Sequence, residues 1–311
     1  MTKLALFTAS RSALDIARIS AHAIDGALSA PAELWTSIVE GDAVLLGAFQ
    51  RTCEIDATSR VLLRRASGGP AIALGSGTIH MALALENSAT LTACDPPRLV
   101  NRYVRPLLRA LASLGEKAAY FGRDWVSVHH RPAAWVGFAH DSITKRAVFE
   151  AVIGVRARWS VDRNRASFLD KSEITIEEAI GHALDPSVVA EVIAAEYGKS
   201  FGGEKGAAPA LEAAAFVVGE EPNWSAVRDE AIGIVAAGRD RSQRVCVGGH
   251  FLASRDAVSR LNASLATFTA ETSIDTIGGA VDSALAAPGV TVHGIKSLIS
   301  VRDVIAEALR I

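Results

Sequence analysis

The stretch VLLRRASGGPAIALGSGTIHMALAL, Val61 to Leu85, decides how the rest of the chain is read. Its first residues are β-branched and aliphatic, the composition of a short strand. Two arginines follow, then a small-residue loop carrying Ser67, Gly68, Gly69, Gly75, Ser76 and Gly77. A second apolar run, Thr78 to Leu85, reads as another strand. Glycines let backbone N–H groups come close to a ligand, and converging N–H groups favour an anion. Arginine adds a planar, permanently charged fork that suits carboxylate or phosphate. The stretch therefore predicts strand, anion-binding loop, strand, with a plain turn or bulge as the simpler alternative.

Working outward, strand and helix patterns alternate. KLALFTA predicts a first strand, and SALDIARISAHAIDGAL predicts a serine-capped helix closed by Pro31. AELWTSIV and AVLLGAF, separated by EGD, predict a hairpin. PPRLVNRYVRPLLRALASLG predicts an amphipathic helix with Gly115 as its stop and a kink or break at Pro106. KAAYFGRDWVSVHHRPAAWVGFAH predicts two strands joined by a turn at His130 to Pro132. RAVFEAVIGVRAR reads as one long strand or a strand pair. TIEEAIGHAL and PSVVAEVIAAEYG are helical, and KSFGGEKGAAPA reads as a linker. The pattern then restarts with AIGIVAAG, a charged turn, RVCVGGHFLA, and helices ending in SVRDVIAEALRI. The fold expected is α+β: a mixed-sheet domain over 1–200, a linker over 201–222 and a small α+β accessory domain over 223–311.

Composition narrows the class. At 311 residues, half of them apolar, the chain can bury a sizeable core, and length alone favours about two domains. A formal net charge of -2 calls for neither nucleic acid nor an anionic membrane as a partner. Three cysteines (Cys53, Cys94, Cys246) form no CxxC pair, which fits reduced thiols and a cytoplasmic setting. The opening MTKLALFTASR is too short and polar for a signal peptide. His129 and His130 read as a solvated basic turn, and no spacing predicts a metal site.

In order along the chain, ALDIARISAHAI, ELWTS, VLLGAFQ, RRASGG, FGRDW, WVGFAH and RVCVGGHFLASRDAVSRLNASL together resemble the biotin/lipoate protein ligase superfamily. The resemblance is nearest to lipoate–protein ligase A with its C-terminal accessory domain, and RRASGG is its most specific part. It implies a lipoate-ligase-like catalytic domain. Such ligases activate lipoate with ATP and Mg²⁺ to an acyl-adenylate and pass the acyl group to a lysine of a lipoyl-type carrier protein. It also implies that Arg65, Ser67, Gly68, Gly69 and Gly77 face acid or nucleotide, with Arg123, Asp124 and Gly137 as further contacts. Arg64 and Arg65 alternate faces on a strand. Arg65 is chosen because it borders the loop and matches the family's retained arginine.

Several positions depart from the family pattern. The third loop glycine is Pro70, which lacks an N–H and fixes φ. The family's histidine and aspartate fall at Leu74 and Gly75, and the positions after Arg123 are Asp124 and Trp125. The family's catalytic lysine falls at Ala134. Loss of one preorganised donor to developing charge costs on the order of 3 kcal/mol in barrier. Cys94, before a helix, is the only nucleophile candidate for a cysteine-based acyl transfer; no cysteine-transferase motif surrounds it, and a small buried hydrophobe is the favoured reading. Two functions follow: a ligase or transferase for lipoate or a similar small carboxylic acid, or a non-catalytic or repurposed relative that binds a small acid, a carrier or a partner protein, for instance in cofactor biosynthesis. An unrelated phosphate ligand in the glycine loop is the third option.

Overall fold

A computed structural model of the chain describes residues 4–52, 55, 61–161, 168–169, 171–218, 221 and 223–311. Cys53 lies outside them. β1 (Leu4–Ser12), α1 (Ala13–Asp25) and β2 (Ala32–Glu40) form a parallel crossover unit. Ser12 caps α1, its hydroxyl accepting from the Asp15 N–H. β3 (Ala43–Leu46), β4 (Val61–Arg64) and β5 (Ile72–Leu74) form a small sheet of their own, and β6 (Thr78–Leu85) returns to the main one. α2 (Leu99–Ser113), β7 (Ala118–Tyr120), β8 (Trp125–Val128), β9 (Arg131–His140) and β10 (Ala147–Gly154) follow. Then come α3 (Ile176–Ile180), α4 (Pro186–Phe201) and β11 (Gly203–Lys205).

The main sheet has eight strands among the described residues, in the order β11-β1-β2-β6-β10-β9-β8-β7. It is mixed, as expected: β11, β1 and β2 run parallel, and the rest pair antiparallel. Both faces are covered, so β6 and β10 are buried along their whole length. One face packs on α2 and α4 through Met81, Phe149, Val136, Tyr103 and Tyr197. The other face meets α1 and the small sheet through Trp35, Trp135, Val152, Ile16 and Ile72.

The C-terminal residues carry β12 (Ala226–Glu230), β13 (Gly233–Arg239) and β14 (Val245–Gly249), an antiparallel sheet. β15 (Leu252–Ala253) pairs with β16 (Val292–His293), and α5 (Arg255–Leu265), α6 (Ile274–Leu285) and α7 (Leu298–Arg310) cover the sheet around a separate core.

Four local expectations are corrected. β2 and β3 are not a hairpin: both edges of β2 are taken by β1 and β6, so beyond the left-handed Gly41 the chain crosses to the small sheet. α2 runs through Pro106 without a break, with that ring buried against the core. The segment 118–140 makes three strands, and its turn is His129–His130, both with positive φ. The segment expected as linker supplies β11, which extends the main sheet beyond residue 200.

Candidate functional site

The main-sheet face toward α1 carries the chemistry. Cross-strand register sets Trp35, Ala82, Glu150 and Gly137 in one row, and Ser37, His80, Val152 and Trp135 in the next. Glu150 is fully buried in an otherwise apolar strand. Its carboxylate accepts from His80 Nε2 at 3.3 Å and from the Ser67 hydroxyl and N–H. Burial would push this carboxyl up, but His80 and the Ser20 and Ser67 hydroxyls outweigh it and hold it below the usual carboxylate value.

Arg65 sits directly above this network with no exposed surface. Its Nη1 donates to the Leu45 carbonyl, its Nη2 to the Gly68 and Pro70 carbonyls, each at 2.7 Å, and its Nε to Ser67 Oγ at 3.1 Å. The guanidinium also lies 4.2 Å from the centre of the Trp135 ring. The loop's own amides are engaged as well. Arg65 N donates to Leu46, Ala66 N to Ser20 Oγ, Ser67 N to Glu150 and Gly69 N to the Phe251 carbonyl. Arg65, Ser67, Gly68 and Gly69, expected to grip an anion, instead form a closed structural knot. The reason is the C-terminal unit, which packs on the loop: a methyl at Gly68 would lie 2.2 Å from the Phe251 carbonyl oxygen.

The other expected residues are scattered. Gly77 has φ near +98° and its carbonyl accepts from Val155 and Arg156, so it shapes a turn. Gly137 is needed because the Trp135 ring crosses it; a Cβ there would meet that ring at 2.4 Å. Arg123 donates to the Ala231 carbonyl at 2.7 Å, and Asp124 is wholly buried. Ala134 faces the opposite core with Val136 and Phe138, so the strand residue beside Gly137 on the site face is Trp135. Cys94 belongs to that same opposite core, and burial pushes its thiol up. It has the character of a small hydrophobe rather than a nucleophile.

An open cavity of about 310 Å³ lies between the small sheet, α5 and β14. Arg65 alone of the expected residues reaches its wall, and only from beneath. Arg51, Arg64 and Arg255 line it more directly, with Trp224, Phe216 and Cys246. Arg64 Nη1 donates to the Gly47 and Gln50 carbonyls at 2.9 and 2.6 Å, and its Nη2 meets both oxygens of Glu221 at 3.0 and 3.1 Å. Arg51 lies 3.8 Å over the Trp224 ring and donates to Cys246 Sγ and the Asn223 carbonyl. Arg255 lies over Phe216 and pairs with Asp25. Among the described residues, Arg51, Arg64 and Arg255 thus share this wall with one carboxylate, Glu221. Arg64 lies on the strand face opposite the residue expected to bind, and Arg51, Trp224 and Glu221 carry no motif. Glu150 did leave a signal, a lone carboxylate inside an apolar strand.

No family model matches the chain, and no curated protein matches it. Solved structures do. Over 98% of this chain and 99% of the other, it superposes on LipL1 of P. falciparum in complex with lipoate, at a TM-score of 0.60 and 10% identity. The chain has the lipoate-protein-ligase fold. A lipoate-protein ligase A bound with ATP matches this fold at a TM-score of 0.50 and 13% identity, over 65% of this chain and 87% of the other. A T. acidophilum protein described as a lipoate protein ligase, with bound lipoic acid, gives 0.50 and 13% over 65% and 88%. No helix among the described residues of this ligase-fold chain is long and apolar enough to cross a membrane.

Proposed function

We propose that this chain binds a small carboxylic acid of the lipoate kind in the cavity at Arg64, and does not activate it by the ligases' ATP route. The observation that carries the reading is the cavity wall, where among the described residues Arg51, Arg64 and Arg255 stand with one carboxylate, Glu221, beside apolar surface from Phe216, Trp224 and Val258. Such a wall suits an anionic head on an apolar body. Against adenylation stand Arg65 and the Ala66, Ser67 and Gly69 amides, engaged within the protein, and Ala134, which faces the opposite core. The residues present therefore do not fit ATP in this arrangement. For Mg²⁺, no group of three or more His, Cys, Asp or Glu among the described residues is placed to hold a metal ion.

A second reading, ligation of the acid to a lipoyl-type carrier protein, draws support from the relatives solved with lipoate and with ATP. It requires the Phe251 segment to withdraw from Gly68 and Gly69 and free the loop. Calorimetric titration of lipoate into the full chain tests the first reading. Saturable one-to-one binding without ATP supports it; no saturable heat removes it.

A further inference from the structure

Resting on that reading of the cavity, we infer that the acid group of the ligand is received by Arg64 and the Thr52 N–H, a place now held by the chain's own Glu221. Three observations converge. Arg64 is a fixed receptor: its side chain is 10% exposed, and its Nη1 is pinned by the carbonyls of Gly47, Ala48 and Gln50. That anchoring leaves Nη2 aimed at the carboxylate it binds, with both Glu221 oxygens in reach. The Thr52 N–H adds a third donor, to Glu221 Oε2 at 3.1 Å. A guanidinium and a backbone amide closing on two oxygens of one carboxylate is the donor set that any carboxylate would use.

The occupant is less committed than its receptor. Glu221 is 33% exposed, and among the described residues it is the one carboxylate on a wall that carries Arg51, Arg64 and Arg255. When Glu221 leaves, the wall keeps its positive charge and gains two hydrogen-bonding positions for an anion. Arg51, held flat on Trp224 and tied to the Asn223 carbonyl, borders the same place and adds to its potential. The volume, about 310 Å³, is at the small end for ligand pockets and matches a monocarboxylate with a short apolar body. Glu221 is therefore an internal competitor: a ligand carboxylate exchanges with it, and the apparent affinity of the wild-type chain carries the cost of that exchange.

The test measures lipoate and lipoamide binding by calorimetry in the full chain, comparing wild type, Glu221→Ala, Glu221→Gln and the Glu221→Ala/Arg64→Ala double variant. Removing the competitor tightens lipoate binding by roughly tenfold or more. Glu221→Gln, which keeps the shape and loses the charge, tightens it in the same direction. The neutral amide gains nothing, and the double variant loses the gain. If lipoate binds wild type and both Glu221 variants equally, the subsite is wrong while the functional reading stands. If none binds lipoate, the functional reading falls, and the subsite is judged with acetate as the probe. An acetate-dependent rise in the Tm of Glu221→Ala that vanishes with Arg64→Ala upholds the subsite. No such Arg64-dependent rise overturns it, and a rise with inorganic phosphate but not acetate reassigns the subsite away from carboxylates.

Discussion

At the scale of the residue, the central fact is that two adjacent arginines have opposite employment. Arg65 is wholly buried and its guanidinium bridges three backbone carbonyls and Ser67. Its charge is matched through Ser67 by Glu150, itself held ionised by His80. Truncating Arg65 leaves buried carbonyl acceptors without their charged donor, which costs about 1–3 kcal/mol. Arg65→Ala is expected to lose stability on that scale in urea unfolding. Arg65→Lys is expected to recover only part, because an ammonium cannot reproduce the planar fork. A stability close to wild type in both would show that the knot is ornamental. The alternation of the two side chains was legible in the sequence. Their roles were not, because the C-terminal unit, far off in the chain, closes one side and leaves a cavity on the other.

At the scale of the element, the glycine loop and the tip of β9 are where the two halves of the chain meet. Gly68 is required by the Phe251 carbonyl, so Gly68→Ala forces backbone against backbone and is expected to cost about 1–3 kcal/mol. The same substitution at the exposed turn glycine Gly115, where a Cβ meets nothing within 4 Å, tests the contrast only against its positive φ. At the end of β9, His140 Nδ1 and Ser254 Oγ share a hydrogen bond at 2.9 Å, and that hydroxyl accepts the Thr291 N–H. Burial lowers the His140 pKa below 6.5, outweighing the nearby Asp256 and Asp141, while Lys145 acts with it. A folded pKa below the unfolded one means the folded state binds fewer protons. The stability is then full above pH 6.5 and falls as pH drops below it toward the folded value. Glu150 and Glu33, both held below the ordinary carboxylate value, add a second loss at lower pH. A Tm series from pH 8 downward, read in His140→Gln, is expected to lose the first decline and keep the second; an unchanged profile would refute the assignment.

Most helices and strands could be read from apolar periodicity, including α1, α4, β6 and β10. The hairpin expectation failed at β2 and β3 because pairing depends on which edges are already filled, a long-range fact. In the loop, glycines serve backbone approach equally well whether the approaching group is a phosphate or the Phe251 carbonyl, which is what meets Gly69 here.

At the scale of the whole molecule, the two units meet over the loop and leave between them a cavity whose wall carries Arg51, Arg64 and Arg255 among apolar and neutral polar side chains. Further ties hold them: Ser142 N donates to Asp256 at 2.7 Å, His293 Nε2 to the Gly122 carbonyl at 3.0 Å, and Arg255 pairs with Asp25. The fold is that of the lipoate-protein ligases, and Arg65 with the Ser67 and Gly69 amides is turned inward to hold it together. The account therefore separates binding an acid from activating it. The measurement that tests this most directly is lipoate-dependent ATP–pyrophosphate exchange by the full chain in the presence of Mg²⁺. The account predicts exchange at the level of the lipoate-free control, even at lipoate concentrations that saturate the cavity in calorimetry. Exchange that rises with lipoate and saturates would show that the loop opens and adenylates, and would contradict it.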